Sequence, residues 1–427
     1  MTQAAPKGFR LHIGIFGRRN VGKSSLLNAL TRQQVSIVSD QAGTTTDPVE
    51  KPMELLPLGP VLFIDTAGID DVGALGQMRI GKTRQVFDRT DIGLLVTDGI
   101  WGEFEEQIAR ELSARKIPLI AVFNKTDLTE PAPSILEQLQ HRSIPFVQTA
   151  AASGLGIEPL REVLIRTVPA DFINQPVIAA DLVGEGGLAV LVVPIDKEAP
   201  KGRLILPQVQ TIRDLLDHSA MCIVTTEHTL SEALEKLNTP PALVVTDSQA
   251  FAKVAEIVPA GVKMTGFSVL YSRLKGDLTT QMLGALAVDT LCPNDRILIA
   301  ESCTHHPIGD DIGRVKIPKW LTRRVGGPLQ FTTVQGHDFP EDLSPYKLVI
   351  HCGACMWNRR EMLTRILRCQ QAGVPITNYG LVIAYTLGLF ERALEPFPET
   401  LALYRKTIQE HRKKCLHRET MPSCGGS

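Results

Sequence analysis

Two short runs in this 427-residue chain carry residue types that could do chemistry. Residues 17–24 read GRRNVGKS and residues 351–355 read HCGAC. The first contains Gly17-x-x-x-x-Gly22-Lys23-Ser24, with the apolar run LHIGIF before it and SLLNAL soon after. This is the pattern of a phosphate-binding loop between a strand and a helix. Its glycines let backbone N–H groups close on phosphate oxygens, its lysine neutralises phosphate charge, and its serine hydroxyl can ligate Mg²⁺. The second run places two thiols three residues apart beside an imidazole. Such a run can be a dithiol switch, half of a zinc site, part of an iron–sulfur site, or the buried end of a strand.

Further pieces follow the first loop in order. VLFIDTAG (61–68) is an apolar strand that ends in Asp65, placed to hold the water shell of Mg²⁺, and reaches Gly68, whose N–H can approach a γ-phosphate. PLIAVFNKTD (118–127) is another strand, ending in Asn124, Lys125 and Asp127. A carboxylate there accepts from both guanine N1–H and the N2 amine, a donor pair that adenine lacks, so Asp127 selects GTP. Thr149, Ala150 and Ala151 form the small loop expected beside guanine O6. A chance turn explains each piece alone, but not all of them in sequence. Residues 11–165 resemble the GTPase superfamily, and QAGTTTD (41–47) resembles the first switch of its tRNA-modification and ribosome-assembly members, whose pattern is G-T-T-R-D. The resemblance implies GTP and GDP as ligands of Gly17, Asn20, Val21, Gly22, Lys23, Ser24 and Ser25. It implies Lys23, Thr45 and Gly68 as the catalytic set, with Ser24 and Thr45 on Mg²⁺. Thr44 and Thr46 compete with Thr45, and Thr46 stands where the pattern has arginine. Ile69 occupies the place of the water-orienting glutamine of Ras-like members, so slow hydrolysis is expected. Asn20 matches the asparagine of potassium-activated relatives; it reads either as a K⁺ ligand or as a turn residue.

The elements behind these residues set the architecture. An α/β fold is expected throughout: a GTP-binding domain over 1–170, a small α/β domain over 171–270, and a second doubly wound sheet over 271–427. The first boundary falls at RTVPADFINQP, where two prolines break the pattern. In the middle, strands at 187–196, 221–226 and 242–247 alternate with helices at 211–218, 230–237 and 249–258. This stretch has no catalytic pattern and is a candidate dimerisation element, with Cys222 expected in its core and His218 and His228 in solvent. The last part has strands RILIAESC (296–303) and YKLVIHCGAC (346–355), a helix over 358–373 and a strand candidate at 374–380. Ligands gather at the carboxyl ends of strands in open parallel sheets. Cys303 and His305 can therefore meet His351, Cys352 and Cys355 there.

C-x-H and H-C-x-x-C behind a GTPase domain resemble the HydF family of [FeFe]-hydrogenase maturation GTPases over essentially the full length. That resemblance implies a [4Fe–4S] cluster on Cys303, Cys352 and Cys355. His305 and His351 become candidates for a fourth ligand or for hydrogen bonding to the ligands. It also implies a scaffold that transiently carries a diiron precursor, with apo-[FeFe]-hydrogenase and two radical-SAM maturases as partners, and a homodimer. Cys292 is expected to be packed and Cys369 to be core. Cys415 and Cys424 are expected as free thiols, and Arg359 and Arg360 on a solvated helix face.

Composition bounds the alternatives. With 45 basic and 46 acidic residues the net charge is −1. That weighs against a nucleic-acid partner, and so against the alternative of an RNA-modification or ribosome-assembly GTPase with structural zinc. A third reading, a GTP-gated dithiol sensor on Cys352 and Cys355, leaves Cys303, His305 and His351 without a role. No apolar run reaches membrane-spanning length and no signal peptide is read. A cytoplasmic protein without a membrane partner is expected.

Overall fold

The computed structural model describes residues 6–31, 48–55, 58–66, 84–169, 172, 177–194, 204–302 and 311–419, with backbone alone at 31 and 411–419. Thr44, Thr45, Thr46, Gly68, Ile69, Cys303, His305 and Cys424 lie outside these residues, as does the side chain of Cys415. The chain divides into two compact units: residues 1–176 with 356–364, and residues 177–355 with 365–427.

The first unit has six strands: β1 (Leu11–Phe16), β2 (Val49–Leu55), β3 (Gly59–Asp65), β4 (Ile92–Thr97), β5 (Leu119–Phe123) and β6 (Phe146–Gln148), all but β2 from largely apolar runs. Their order is β2-β3-β1-β4-β5-β6. β2 runs antiparallel to β3 on the edge, and the remaining pairs are parallel. Strands buried on both faces need uninterrupted apolar sequence, and every residue of β1 and β4 is buried. One face packs Leu26, Leu27 and Leu30 of the helix Lys23–Thr31 with Leu160 and Leu164 of Ile157–Thr167. The other packs Ile108 and Leu112 of Glu103–Ala114.

The segment Met356–Thr364 belongs to this unit although it follows Cys355 directly. Residues 84–89 are helical, and a helix leaves its last carbonyls without internal partners. Asn358 Nδ2 donates to Arg89 O at 2.9 Å and Thr364 Oγ1 to Asp88 O at 3.2 Å. Arg360 donates to Arg115 O at 3.2 Å and pairs with Asp91 at 3.6 Å. Arg360 thus departs from the expected solvated face: its charge is spent on the half-buried Asp91 carboxylate and a helix-end carbonyl.

The second unit holds two parallel four-stranded sheets. In the first the order is β10-β9-β7-β8, from β7 (Leu188–Val192), β8 (Met221–Thr225), β9 (Leu243–Thr246) and β10 (Met264–Gly266). β7 and β9 are wholly or nearly buried, whereas β8 is an edge strand with Met221 and Val224 exposed. Cys222 lies on this edge, half-buried, rather than in the core expected from its apolar neighbours. In the second sheet the order is β12-β11-β13-β14, from β11 (Arg296–Glu301), β12 (Gln330–Gln335), β13 (Leu348–His351) and β14 (Ile376–Asn378). The helix Phe267–Lys275 joins the two halves of this unit. Its N-cap Gly266 ends β10, and Ser268 O accepts from Asn378 Nδ2 at 2.8 Å.

Candidate functional site

The nucleotide motifs gather at the carboxyl ends of β1, β3 and β5. Two glycines of the loop are required by space and backbone angle together. Gly17 has φ +149°, and a Cβ there would lie 2.3 Å from Val96 O. Gly22 has φ +93°, and its Cβ would lie 2.2 Å from Asn124 Nδ2. Asn20 is in the left-handed region at φ 64°, which asparagine tolerates better than most residues. Lys23 Nζ donates to Gly17 O and Arg18 O at 2.9 and 2.7 Å, so the ammonium is held over the loop it belongs to. The helix Lys23–Thr31 starts here, and a helix N-terminus presents N–H groups and positive dipole to an anion. Ser24 is half-buried and Ser25 exposed.

Asp65 ends β3 with Oδ1 buried and without a hydrogen-bond partner among the described residues. Burial raises its pKa, opposed by the charges of Lys23 and Lys51. Asn124 ties three loops together. Its Nδ2 donates to Val21 O at 2.9 Å, and its Oδ1 accepts from Thr149 Oγ1 and Ala151 N–H, both at 3.1 Å. Lys125 Nζ donates to Asn20 O at 2.6 Å, Ala150 is buried, and Asp127 is exposed. The base-reading residues and the phosphate loop are therefore one hydrogen-bonded structure.

The second unit builds the cysteine turn. β11 and β13 are parallel neighbours, with Ala300 opposite His351. Cys352 N–H donates to Ala300 O at 2.9 Å, which carries the pairing one residue past the strand. Ser302 then meets the first thiol: its N–H lies 3.1 Å and its Oγ 2.9 Å from Cys352 Sγ. Ala354 is buried at φ 50°, a left-handed conformation that costs a non-glycine residue about 1–3 kcal/mol. Lys275, 3% exposed, donates to Ala354 O at 3.3 Å and Cys355 O at 2.9 Å. Burial brings its pKa down to about 8, while the Cys355 thiol pulls it up. Cys352 and Cys355 are both half-buried.

His351 is fully buried. Its Nε2 accepts from the Arg365 guanidinium at 3.2 Å, so the proton sits on Nδ1, which donates to Cys352 O at 2.8 Å. Burial and the Arg365 charge bring its pKa down to about 3. The neutral ring has both nitrogens engaged. Cys369 is wholly buried with its thiol pushed up to about 12 by burial, as a core residue. Cys292 is exposed instead of packed, because the chain turns there, with its N–H on Asp295 at 2.7 Å. His218 and His228 are solvent-facing. Among the described residues no group of three or more His, Cys, Asp or Glu could hold a metal ion. Sequence reasoning missed Ser302, Lys275 and Tyr271. The first adjoins the C-x-H motif; the other two are remote in sequence, and only the fold brings them to the turn.

A six-stranded sheet with a phosphate loop and a guanine-reading strand end defines a P-loop GTPase domain, followed here by two α/β sheets with a Cys-x-x-Cys turn. Family models match in that order: a 50S ribosome-binding GTPase over residues 12–125, the hydrogen maturase F dimerization domain over 178–276, and the hydrogen maturase F tetramerization domain over 279–396. The chain belongs to the hydrogen maturase F family. The GTPase Der of Wolinella succinogenes is 34% identical over 196 residues, covering 42% of this chain and 41% of that protein. The tRNA modification GTPase MnmE of a Synechococcus strain is 41% identical over 160 residues, covering 36% and 33%. The chain thus spans about two fifths or less of the curated relatives it matches. The G domain of the T. maritima FeoB iron transporter shares 24% identity, covering 37% of this chain and 98% of that one, with a TM-score of 0.30. Among the described residues no helix is long and apolar enough to cross a membrane.

Proposed function

We propose that this chain is a slow, Mg²⁺-dependent GTP hydrolase and an iron–sulfur scaffold that assembles or delivers the diiron precursor to apo-[FeFe]-hydrogenase. The observation that carries it is the union in one chain of the two maturase-family domains with a Cys352–Cys355 turn, to which the neighbouring strand β11 brings Ser302. The alternative, an RNA-modification or ribosome-assembly GTPase with structural zinc, has only the first domain in its favour.

On the nucleotide side, Asp65 Oδ1 is a buried oxygen without a described partner, which suits the water shell of Mg²⁺. Ser24, with Thr45 from outside the described residues, would hold the ion directly. Lys23 neutralises phosphate charge, and Asp127 with Asn124 reads guanine. Asn20 is assigned to K⁺; equal turnover in KCl and NaCl would remove that role.

On the cysteine side, the donor set fits an iron–sulfur cluster. Two half-buried thiols share one turn, and one already accepts a backbone N–H and shares a hydrogen bond with the Ser302 hydroxyl, a setting that suits a cluster-ligating sulfur. Cys303, Cys352 and Cys355 would hold a [4Fe–4S] cluster, leaving one iron with an exchangeable ligand to which a diiron fragment can attach and leave. His351 is assigned to orienting the Cys352 carbonyl rather than to ligation, since ligation would sacrifice one of its two hydrogen bonds. His305 remains the candidate for the open position. The two radical-SAM maturases are the proposed suppliers of the cargo. The exposed apolar residues of edge strand β8 suit a homodimer. The test is separability. Lys23→Ala should abolish GTP hydrolysis and keep iron, and Cys352→Ser should keep GTP hydrolysis and lose hydrogenase maturation. A Cys352→Ser protein that matures hydrogenase fully would sink the scaffold reading.

A further inference from the structure

Two buried polar side chains on the helix Phe267–Lys275 sit beside Cys355, and the reading above gives neither a function. Tyr271 and Lys275 are four residues apart, so they share one face of the helix. Tyr271 is 2% exposed, and its hydroxyl has no hydrogen-bond partner among the described residues. A buried hydroxyl left without a partner costs about 1–3 kcal/mol, which a fold tolerates where a ligand completes the bond. Lys275 is equally buried, with its ammonium 5.6 Å from the Tyr271 ring centre and bonded to the carbonyls of Ala354 and Cys355. Both groups lie within electrostatic reach of the Cys355 thiol. The Lys275 bonds also hold the left-handed Ala354, and that residue sets the spacing between the two thiols.

We propose that Tyr271 and Lys275 form a donor face for the anionic, thiolate-bound iron–sulfur group on Cys355. The Tyr271 hydroxyl donates to a sulfur of that group. The Lys275 ammonium holds the turn in its ligating shape and supplies fixed positive charge. Lys275 is a positioning residue, acting on the cluster through the turn and through its field. Donors and cations near a cluster favour its reduced state and so raise its reduction potential.

This inference rests on cluster binding by the cysteine turn, and the test separates the two. Wild type, Tyr271→Phe and Lys275→Met are purified anaerobically, reconstituted with iron and sulfide, and titrated by electron paramagnetic resonance. Loss of iron to a chelator is timed on the same samples. Tyr271→Phe removes only a partnerless hydroxyl, so before reconstitution it should melt no lower than wild type, with GTP turnover unchanged. Its midpoint potential should nevertheless move negative and its iron should leave several-fold faster. Lys275→Met should shift the potential further the same way. If Lys275→Met does not fold, brief amine acylation of wild type reads the same site: Lys275 should resist labelling while the exposed Lys236 reacts. Midpoint potentials and iron loss equal to wild type in Tyr271→Phe overturn the inference while leaving the scaffold reading in place. Lys275 labelled as fast as Lys236 overturns its buried role. A wild type that takes up no iron overturns the scaffold reading, and the inference with it.

Discussion

At the scale of single residues, chemistry divides the cysteines more sharply than spacing does. Cys352 Sγ meets the N–H and the hydroxyl of Ser302, whereas Cys369 is sealed in the core with its thiol pushed up to about 12. A thiol with a raised pKa stays protonated in the fold while the unfolded chain ionises near pH 9. Its contribution to stability is therefore complete below pH 9 and is lost as pH rises toward 12. The loss is at most about 4 kcal/mol at the upper end. Melting of wild type should fall across this range, and Cys369→Ala, less stable at neutral pH, should fall less steeply; parallel curves would refute the assignment. The GTP motifs were legible because each needs fixed residue types at a strand end, and strands that end in Asp65 or Asn124 announce themselves by apolar runs. The roles of His351 and Lys275 were not legible. Beside two cysteines His351 reads equally as a ligand or as a hydrogen-bonding residue, and its partner on Nε2, Arg365, is 14 residues away on another element.

At the scale of elements, the buried strands follow from apolar runs, but boundaries and edge strands such as β2 and β12 do not. The run ITNYG reads as strand throughout, yet β14 stops at Asn378, whose side chain accepts from Leu381 N–H and starts a helix. β8 reads as core because MCIVT is apolar, and only the strand order puts it on an edge. An exposed apolar edge strand is a template for pairing with another chain. Val224→Lys should therefore convert a dimer to a monomer in light scattering, with the melting temperature of the separated subunit little changed; a persistent dimer would place the contact elsewhere. Met356–Thr364 is a second element that sequence could not assign, since it follows the cysteine turn but is built into the GTP-binding unit. Asn358 both caps its own helix, by accepting from Glu361 N–H at 3.2 Å, and donates to Arg89 O. Asn358→Ala should cost about 1–3 kcal/mol, seen as lower denaturation midpoints for nucleotide-bound protein; an unchanged midpoint would mean the segment is not integral to that unit.

At the scale of the whole molecule, the chain joins a GTP-binding unit with a Cys-x-x-Cys turn, to which the proposed function assigns a metal cluster. Balanced charge removes bulk electrostatics as a guide to partners, so the maturase reading rests on domain order and on the cysteine turn. The most direct measurement is the metal content of anaerobically purified protein. The proposed function predicts a brown protein with about four irons and about four inorganic sulfides per chain, bleached by air and lost in Cys352→Ser. A colourless protein with one zinc per chain and no sulfide would contradict it.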